Sequence, residues 1–322
     1  MSSPFPLLRL PRLVLGEVFK SLNLGEKIKL SFCSKKVSTQ INNNRLYSQK
    51  VIVDLDMLNE KISVRSENGK DTFLVSFHLD FWKNHNSNTE QLSFKFCNVR
   101  VRSMRLRIRT FRTYHQEGFL SVIRHLLKMF QCKISTSESC YHSELFQPTI
   151  SMLFDLQLEF KTLCILYISR SFLRSKDENL LFWNKMLSTN MGLIEDLRIM
   201  SIDDPFFIPV FTSWPREISI LGYDWFTVES LLACTCTNIT LNKSYMGNKD
   251  VDKILREWKA GGLPNLKHLG IISHNFKDNG EQIFGMNPME LDGMIIKTDD
   301  GSKTATIDLG QHWIEMSVTP FE

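Results

Sequence analysis

Five short apolar pairs, each with its members two residues apart, recur through the second half of this chain. They are Leu166/Ile168, Leu197/Ile199, Ile218/Ile220, Ile239/Leu241 and Leu269/Ile271, and their first members step by 31, 21, 21 and 30 residues. A period of two is that of a strand with one buried face. Three of the gaps carry a helical stripe instead. Asp177–Asn190 holds Leu180, Trp183 and Leu187, and Tyr223–Cys234 holds Val228, Leu231 and Leu232. Asn248–Ala260 holds Val251, Ile254, Leu255 and Trp258, and Gly261-Gly262 with Pro264 stops it. A strand–helix unit of this length cannot hide its apolar side alone, so units must stack on one another. The pattern predicts an α/β fold in which an irregular leucine-rich-repeat-like strand–helix solenoid presents parallel strands on a concave side. An open α/β sheet is the alternative, and the Asp203–Trp214 gap, with Pro205 and Pro209, reads as loop.

The chain between the N-terminus and these units alternates differently. Lys50–Leu55 and Ile62–Val64 read as strands, and Asn68-Gly69 is a hairpin-turn signal. Phe73, Val75, Phe77 and Leu79 alternate on the return, and Asn84–Asn88 is polar loop. Leu92–Phe111 carries Arg100, Arg102, Arg105, Arg107 and Arg109, with Arg112 just beyond. The apolar phase slips near Ser103, which predicts a bulge or bend and places the arginines along one face of a bent strand or strand pair. Such a stripe suits an acidic or phosphorylated partner, because guanidinium forks match carboxylate and phosphate; a solvated sheet face is the plainer reading. Phe119, Val122, Ile123, Leu126 and Phe130 mark an amphipathic helix, and Gln131–Pro148 reads as polar loop. Near the C-terminus, Met294–Thr298 and Thr304–Leu309 form a hairpin about Asp299-Asp300-Gly301, and Trp313, Met316 and Val318 a last strand that covers the open end of the stack.

Residues 5–47 are helical by spacing. Pro11 suits a first helical turn, and Val14, Val18 and Leu22 recur every fourth residue, with Leu15 and Phe19 beside them. Asn23 and Glu26 form a capping box with Asn in the Ser/Thr place. On the second helix Leu24, Ile28 and Phe32 share a face while Leu30 and Cys33 point elsewhere. Val37 and Ile41 begin a third stripe after Ser34-Lys35-Lys36. Three short helices cannot bury this much apolar surface unaided, so the excess docks on the rest of the chain or on a partner.

This stretch resembles the F-box. The matching points are Leu10-Pro11, Val14-Leu15, Val18-Phe19, Leu22, Leu24, Ile28, Leu30-Ser31 and Ser34-Lys35. The resemblance implies a Skp-type adaptor as partner and, through it, a cullin–RING ubiquitin ligase, with Leu8, Leu10, Pro11, Leu15, Val18, Phe19, Leu22 and Leu30 as adaptor anchors. About residues 177–307 resemble the type-two F-box-associated domain of expanded nematode families. The matching pieces include Phe182–Leu187, Asp224–Thr227, Asn238–Leu241, Lys253–Gly261, Pro264–Leu269 and Asp299–Gly301. Asp252 and Ile254 depart from that family, which has Asn and Phe there. The expected organisation is an F-box module over residues 4–48 and a substrate-recognition domain over 49–322.

The remaining composition narrows the function by exclusion. A net charge of +4 with both signs abundant asks for neither nucleic acid nor membrane. Arg9, Pro11 and Arg12 break any signal-peptide core, and no stretch is long and apolar enough to span a bilayer. Seven cysteines without a spacing pattern fit free thiols in the cytoplasm or nucleus. There is no phosphate loop, Gly-x-Ser-x-Gly or His-Glu-x-x-His. Cys234-Thr235-Cys236, His268 and His274 lack the further ligands a metal needs, and Asp203-Asp204 and Asp299-Asp300 sit where turns favour Asp. No cofactor and no catalytic residue is expected. The sequence reading is a non-enzymatic substrate-receptor subunit of a Skp–cullin–F-box ligase with an unidentified target protein; the alternative is a repeat-type scaffold outside any ligase.

Overall fold

The computed structural model describes residues 9–43, 51–78, 91–94, 99–104, 107–111, 115–137, 143–168, 190–202, 211, 213–222, 225–276 and 280–320. The chain forms two compact units, one of residues 1–139 with 143–149 and one of 140–142 with 150–322. The compact boundary therefore lies about a hundred residues beyond the end of the expected F-box module.

The first unit begins with α1 (Arg12–Ser21), α2 (Leu24–Cys33) and α3 (Lys35–Asn43). Pro11 precedes α1, and its carbonyl accepts the first helical bond from the Leu15 N–H at 2.9 Å. The capping box is formed: Glu26 N–H donates to Asn23 Oδ1, and Asn23 N–H to Glu26 Oε2, each at 2.9 Å. Leu24, Ile28 and Phe32 are buried, as their shared face requires.

A seven-stranded mixed sheet follows. It is built from β1 (Val51–Asp56), β2 (Lys61–Ser66), β3 (Thr72–His78), β4 (Gln91–Phe94), β5 (Val99–Met104), β6 (Arg107–Phe111) and β7 (Lys133–Ser137). Their spatial order is β7-β1-β2-β3-β6-β5-β4. Gly69, at φ 69°, makes the turn between β2 and β3, and its N–H donates to the Ser66 carbonyl. The helix α4 (His115–Phe130) buries Phe119, Val122, Ile123, Leu126 and Phe130.

One expectation needs correction here. Gln131–Pro148 is not all loop: Lys133–Ser137 pairs parallel with β1, and α5 (Phe146–Asp155) starts before Pro148. The strand escapes notice because KISTS has one aliphatic residue, yet Ser135 and Thr136 are buried with Ile134. Of the two arrangements expected for the arginine segment, a bent strand or a strand pair, the chain adopts the pair: β5 and β6 are antiparallel partners.

The second unit holds β8 (Phe160–Ile168), β9 (Ile194–Ile202), β10 (Glu217–Leu221), β11 (Asn238–Ser244) and β12 (His268–Ser273). All neighbours in this run are parallel and lie in sequence order. α6 (Val228–Leu232) connects β10 to β11, and α7 (Asn248–Lys259) connects β11 to β12. α7 ends as its glycines foretell: Gly261, at φ 94°, and Gly262 donate to the Trp258 and Glu257 carbonyls at 3.0 and 2.8 Å. The C-terminal hairpin of β13 (Met294–Lys297) and β14 (Lys303–Gly310) leads to β15 (Trp313–Pro320). β15 pairs antiparallel with both β14 and β12 and so ends the parallel run. The helix expected over residues 177–190 and the loop at 203–210 lie outside the described residues.

Candidate protein-interaction sites

The three N-terminal helices are seated on their own unit. Gly25 is so close to β3 that a Cβ there would meet Phe73 Cδ2 at 2.7 Å. On the far side of α2, Ser31 Oγ lies 2.8 Å from His125 Nε2 of α4, and the His125 ring stacks on Phe32 at 4.9 Å. The Ser31 hydroxyl donates to the Ile28 carbonyl at 2.7 Å, so Nε2 carries the proton and donates to Ser31. Burial pushes the His125 pKa down to about 4, with Lys128 adding to the effect. Burial also lowers the pKa of Lys27, against the opposing pull of Asp71 and Glu26.

This seating decides which apolar residues remain available. Of the residues expected to anchor an adaptor, Leu15 and Phe19 are sealed in the core at 4% and 0% exposure. They cannot be surface anchors in this conformation, because α1 turns their side of the stripe inward. Leu10, Val18, Leu22 and Leu30 are half-buried, Pro11 is exposed, and Leu8 lies outside the described residues. The strongest outward signal came from residues the periodicity left aside or read as part of the stripe: Leu13 is 86% exposed and Val14 46%. An open cleft of about 510 Å³ is lined by Arg9, Lys35, Lys36, Thr39 and Gln40, with the little-exposed Leu15 also reaching it.

The second unit offers a different surface. Ile218, Ile220, Ile239, Leu241, Leu269 and Ile271 are buried on one face of its sheet. The alternate positions face the other way; most are half-buried or exposed, while Cys164 is buried. In register they form cross-strand rows. One row runs Thr162–Asp196–Glu217–Asn238–His268–Ser317, and the next runs Cys164–Arg198–Ser219–Thr240–Gly270–Glu315. A third, apolar row places Leu166, Met200 and Leu221 abreast, and further along Ile272 opposite Trp313. Ile272 and Trp313 are 45% and 41% exposed. The Trp313 indole lies over Gly310, where a Cβ would meet Nε1 at 2.1 Å, so the glycine lets the ring lie flat. On the polar rows Arg198 is held by Asp196 at 2.8 Å, and His268 Nδ1 is 3.6 Å from Glu315 Oε1.

The arginine hairpin is described by its pairing. Arg102 opposes Arg109, Arg100 opposes Phe111 and Met104 opposes Arg107. Positions 100, 102, 107 and 109 therefore share one face of the hairpin, while Arg105 lies outside the described residues. The other polar candidates have local partners. Asp300 Oδ1 accepts from the Ser302 N–H and hydroxyl at 3.0 and 2.9 Å, the bonding of a turn aspartate. His274 packs its ring edge-on to His312 at 5.3 Å. Cys234 and Cys236 are buried and free, and their thiols are hydrogen-bonded to each other. Among the described residues no group of three or more His, Cys, Asp or Glu is placed to hold a metal ion, and no helix is long and apolar enough to cross a membrane.

Helices that keep exposed apolar residues on one unit, and a one-faced mixed sheet on another, define a protein built of interaction modules. The family model of the F-box domain matches residues 7–49, and that of the F-box associated domain matches residues 211–271. The chain thus combines an F-box with an F-box associated domain, in that order. An uncharacterized protein of Caenorhabditis elegans is 21% identical over 265 residues, which is 80% of this chain and 58% of the relative. The chain spans less than two thirds of that relative's length. No solved structure matches it. The associated-domain match covers β10, α6, β11, α7 and most of β12. Asp252, where the family resemblance is weakest, accepts from the Phe284 N–H and from Arg256 Nε, each at 2.7 Å, and Ile254 is buried.

Proposed function

We propose that this protein is a substrate-receptor subunit of a Skp–cullin–F-box ubiquitin ligase. In this reading the F-box binds the adaptor, the second unit binds a target protein, and the chain itself performs no chemistry. Having both sites on one chain raises the local concentration of the target beside the transfer machinery. The observation that carries the reading is the exposure of Leu13 and Val14 on the first helix of a segment that matches the F-box. Leu10, Pro11, Val18, Leu22 and Leu30 complete the adaptor surface, and Leu15 and Phe19 support it from beneath. The sequential parallel strands β8–β12 support a short repeat-like receptor domain, with Arg100, Arg102, Arg107 and Arg109 as an accessory surface for acidic partners. Free cysteines support work in the cytoplasm or nucleus.

Fully burying a Leu side chain contributes about 1.5–3 kcal/mol, and interfaces concentrate their energy in a few such anchors. Leu13→Asp with Val14→Asp should therefore lower capture of a co-expressed Skp-type adaptor at least tenfold while the circular dichroism spectrum is unchanged. Undiminished capture by the folded double variant would refute the adaptor surface. No capture by the wild-type chain would favour a scaffold acting outside any ligase.

A further inference from the structure

The open face of the second unit's sheet has a definite chemical character. Among its described positions, Asp196, Glu217, Asp308 and Glu315 supply four carboxylates, against one guanidinium from Arg198 and one ammonium from Lys297. Arg198 is already engaged by Asp196. The surplus negative charge adjoins the exposed Ile272 and Trp313, which oppose each other in register. Gly270 lies between Thr240 and Glu315 in register, and the His268 ring lies over it, with Nε2 3.5 Å from where a Cβ would stand and Nδ1 3.6 Å from Glu315 Oε1. Glu315 and Trp313 are two residues apart on β15, about 7 Å along the strand. An extended peptide places alternate side chains at that same spacing.

We propose that this face receives an extended segment of the target protein in which an aliphatic or aromatic residue stands two positions from a Lys or Arg. The apolar side chain rests on the Ile272–Trp313 pair, and the cation meets Glu315, with Asp308, opposite it on β14, giving further negative potential. Trp313, fixed over Gly310, is the kind of preorganised aromatic anchor on which interface energy concentrates. The inference rests on the reading of this unit as the target-binding part, and it names the target's chemistry.

The test pans a phage-displayed random dodecapeptide library against the purified full chain. Enriched sequences should share the apolar-x-basic spacing. A fluorescein-labelled consensus peptide should lose at least tenfold in affinity for Glu315→Lys and for Ile272→Asp, both checked for fold by circular dichroism. Its Lys→Glu counterpart should bind Glu315→Lys better than it binds the wild type. No enrichment, or binding indifferent to both variants, overturns the proposal. So does an acidic consensus that Arg102→Glu with Arg109→Glu abolishes, which would assign recognition to the arginine hairpin. Adaptor capture is measured on the same variants. Capture retained with peptide binding absent overturns this inference alone, and peptide binding retained with no capture overturns only the ligase reading.

Discussion

His125 couples an F-box helix to the sheet-side helix beneath it, and its burial makes that coupling sensitive to acid. The ring is neutral in the folded chain, held at about 4 against an ordinary value of 6.5. Below about pH 6.5 the unfolded chain takes up a proton that the native site refuses. The contribution of this group to stability is therefore intact above that value and falls as the pH drops toward about 4. Between about pH 7.5 and about pH 5 the unfolded state gains a factor of about 30 in proton binding and the folded state almost none, a loss of about 2 kcal/mol. His125→Phe removes the titration, keeps an aromatic ring against Phe32, and leaves the Ser31 hydroxyl its bond to the Ile28 carbonyl. Urea-dependent hydrogen–deuterium exchange of peptides spanning α2 and α4 reads the local stability at both pH values. The wild type should lose about 2 kcal/mol more than His125→Phe across the interval. Equal pH dependence in the two proteins would refute the claim that this imidazole is buried neutral against the F-box.

Two further outcomes follow from burial and capping. Trp258 is 1% exposed on α7, so Trp258→Ala should cost about 3–5 kcal/mol by urea denaturation, and a loss below about 1 kcal/mol would mean that α7 does not close the core of its unit. Asn23→Ala removes a capping box that satisfies the first turn of α2, and should cost about 1 kcal/mol in the exchange protection of that helix without altering α4.

Local chemistry made much of this fold readable. Asn23 and Glu26 announce the start of α2, Asn68-Gly69 the β2–β3 turn, Gly261-Gly262 the end of α7, and Asp300-Gly301 the last hairpin, because each needs a particular side chain or a left-handed backbone. The parallel order of β8–β12 was legible from apolar pairs recurring at steps of 31, 21, 21 and 30 residues with helical stripes between them. What escaped depends on tertiary context. β7 is polar in composition and buried only because it lies beside β1. The inward turn of α1 is invisible to periodicity, which finds a wide stripe around Leu15 and Phe19 but not which edge of it the sheet-side core takes. Leu13, the most exposed large apolar side chain among the described residues, was passed over for that reason. The phase slip in the arginine segment left a bent strand and a strand pair both open, since each reverses the apolar parity, and only the pairing of β5 with β6 decides between them. The open acidic face had no sequence signal, because Gly270, Asp308, Glu315 and Trp313 meet only through strand register.

The strand that finishes the parallel run is made after all the strands that it closes. Until Trp313–Pro320 has left the ribosome, the outer N–H and C=O groups of His268–Ser273 have no permanent partner, although the rest of their layer is already assembled. A bare strand edge of that kind invites pairing with another nascent chain. A chain lacking Trp313–Pro320 would keep nearly every core residue of the unit and still be prone to aggregate, so β15 acts as a latch against self-association.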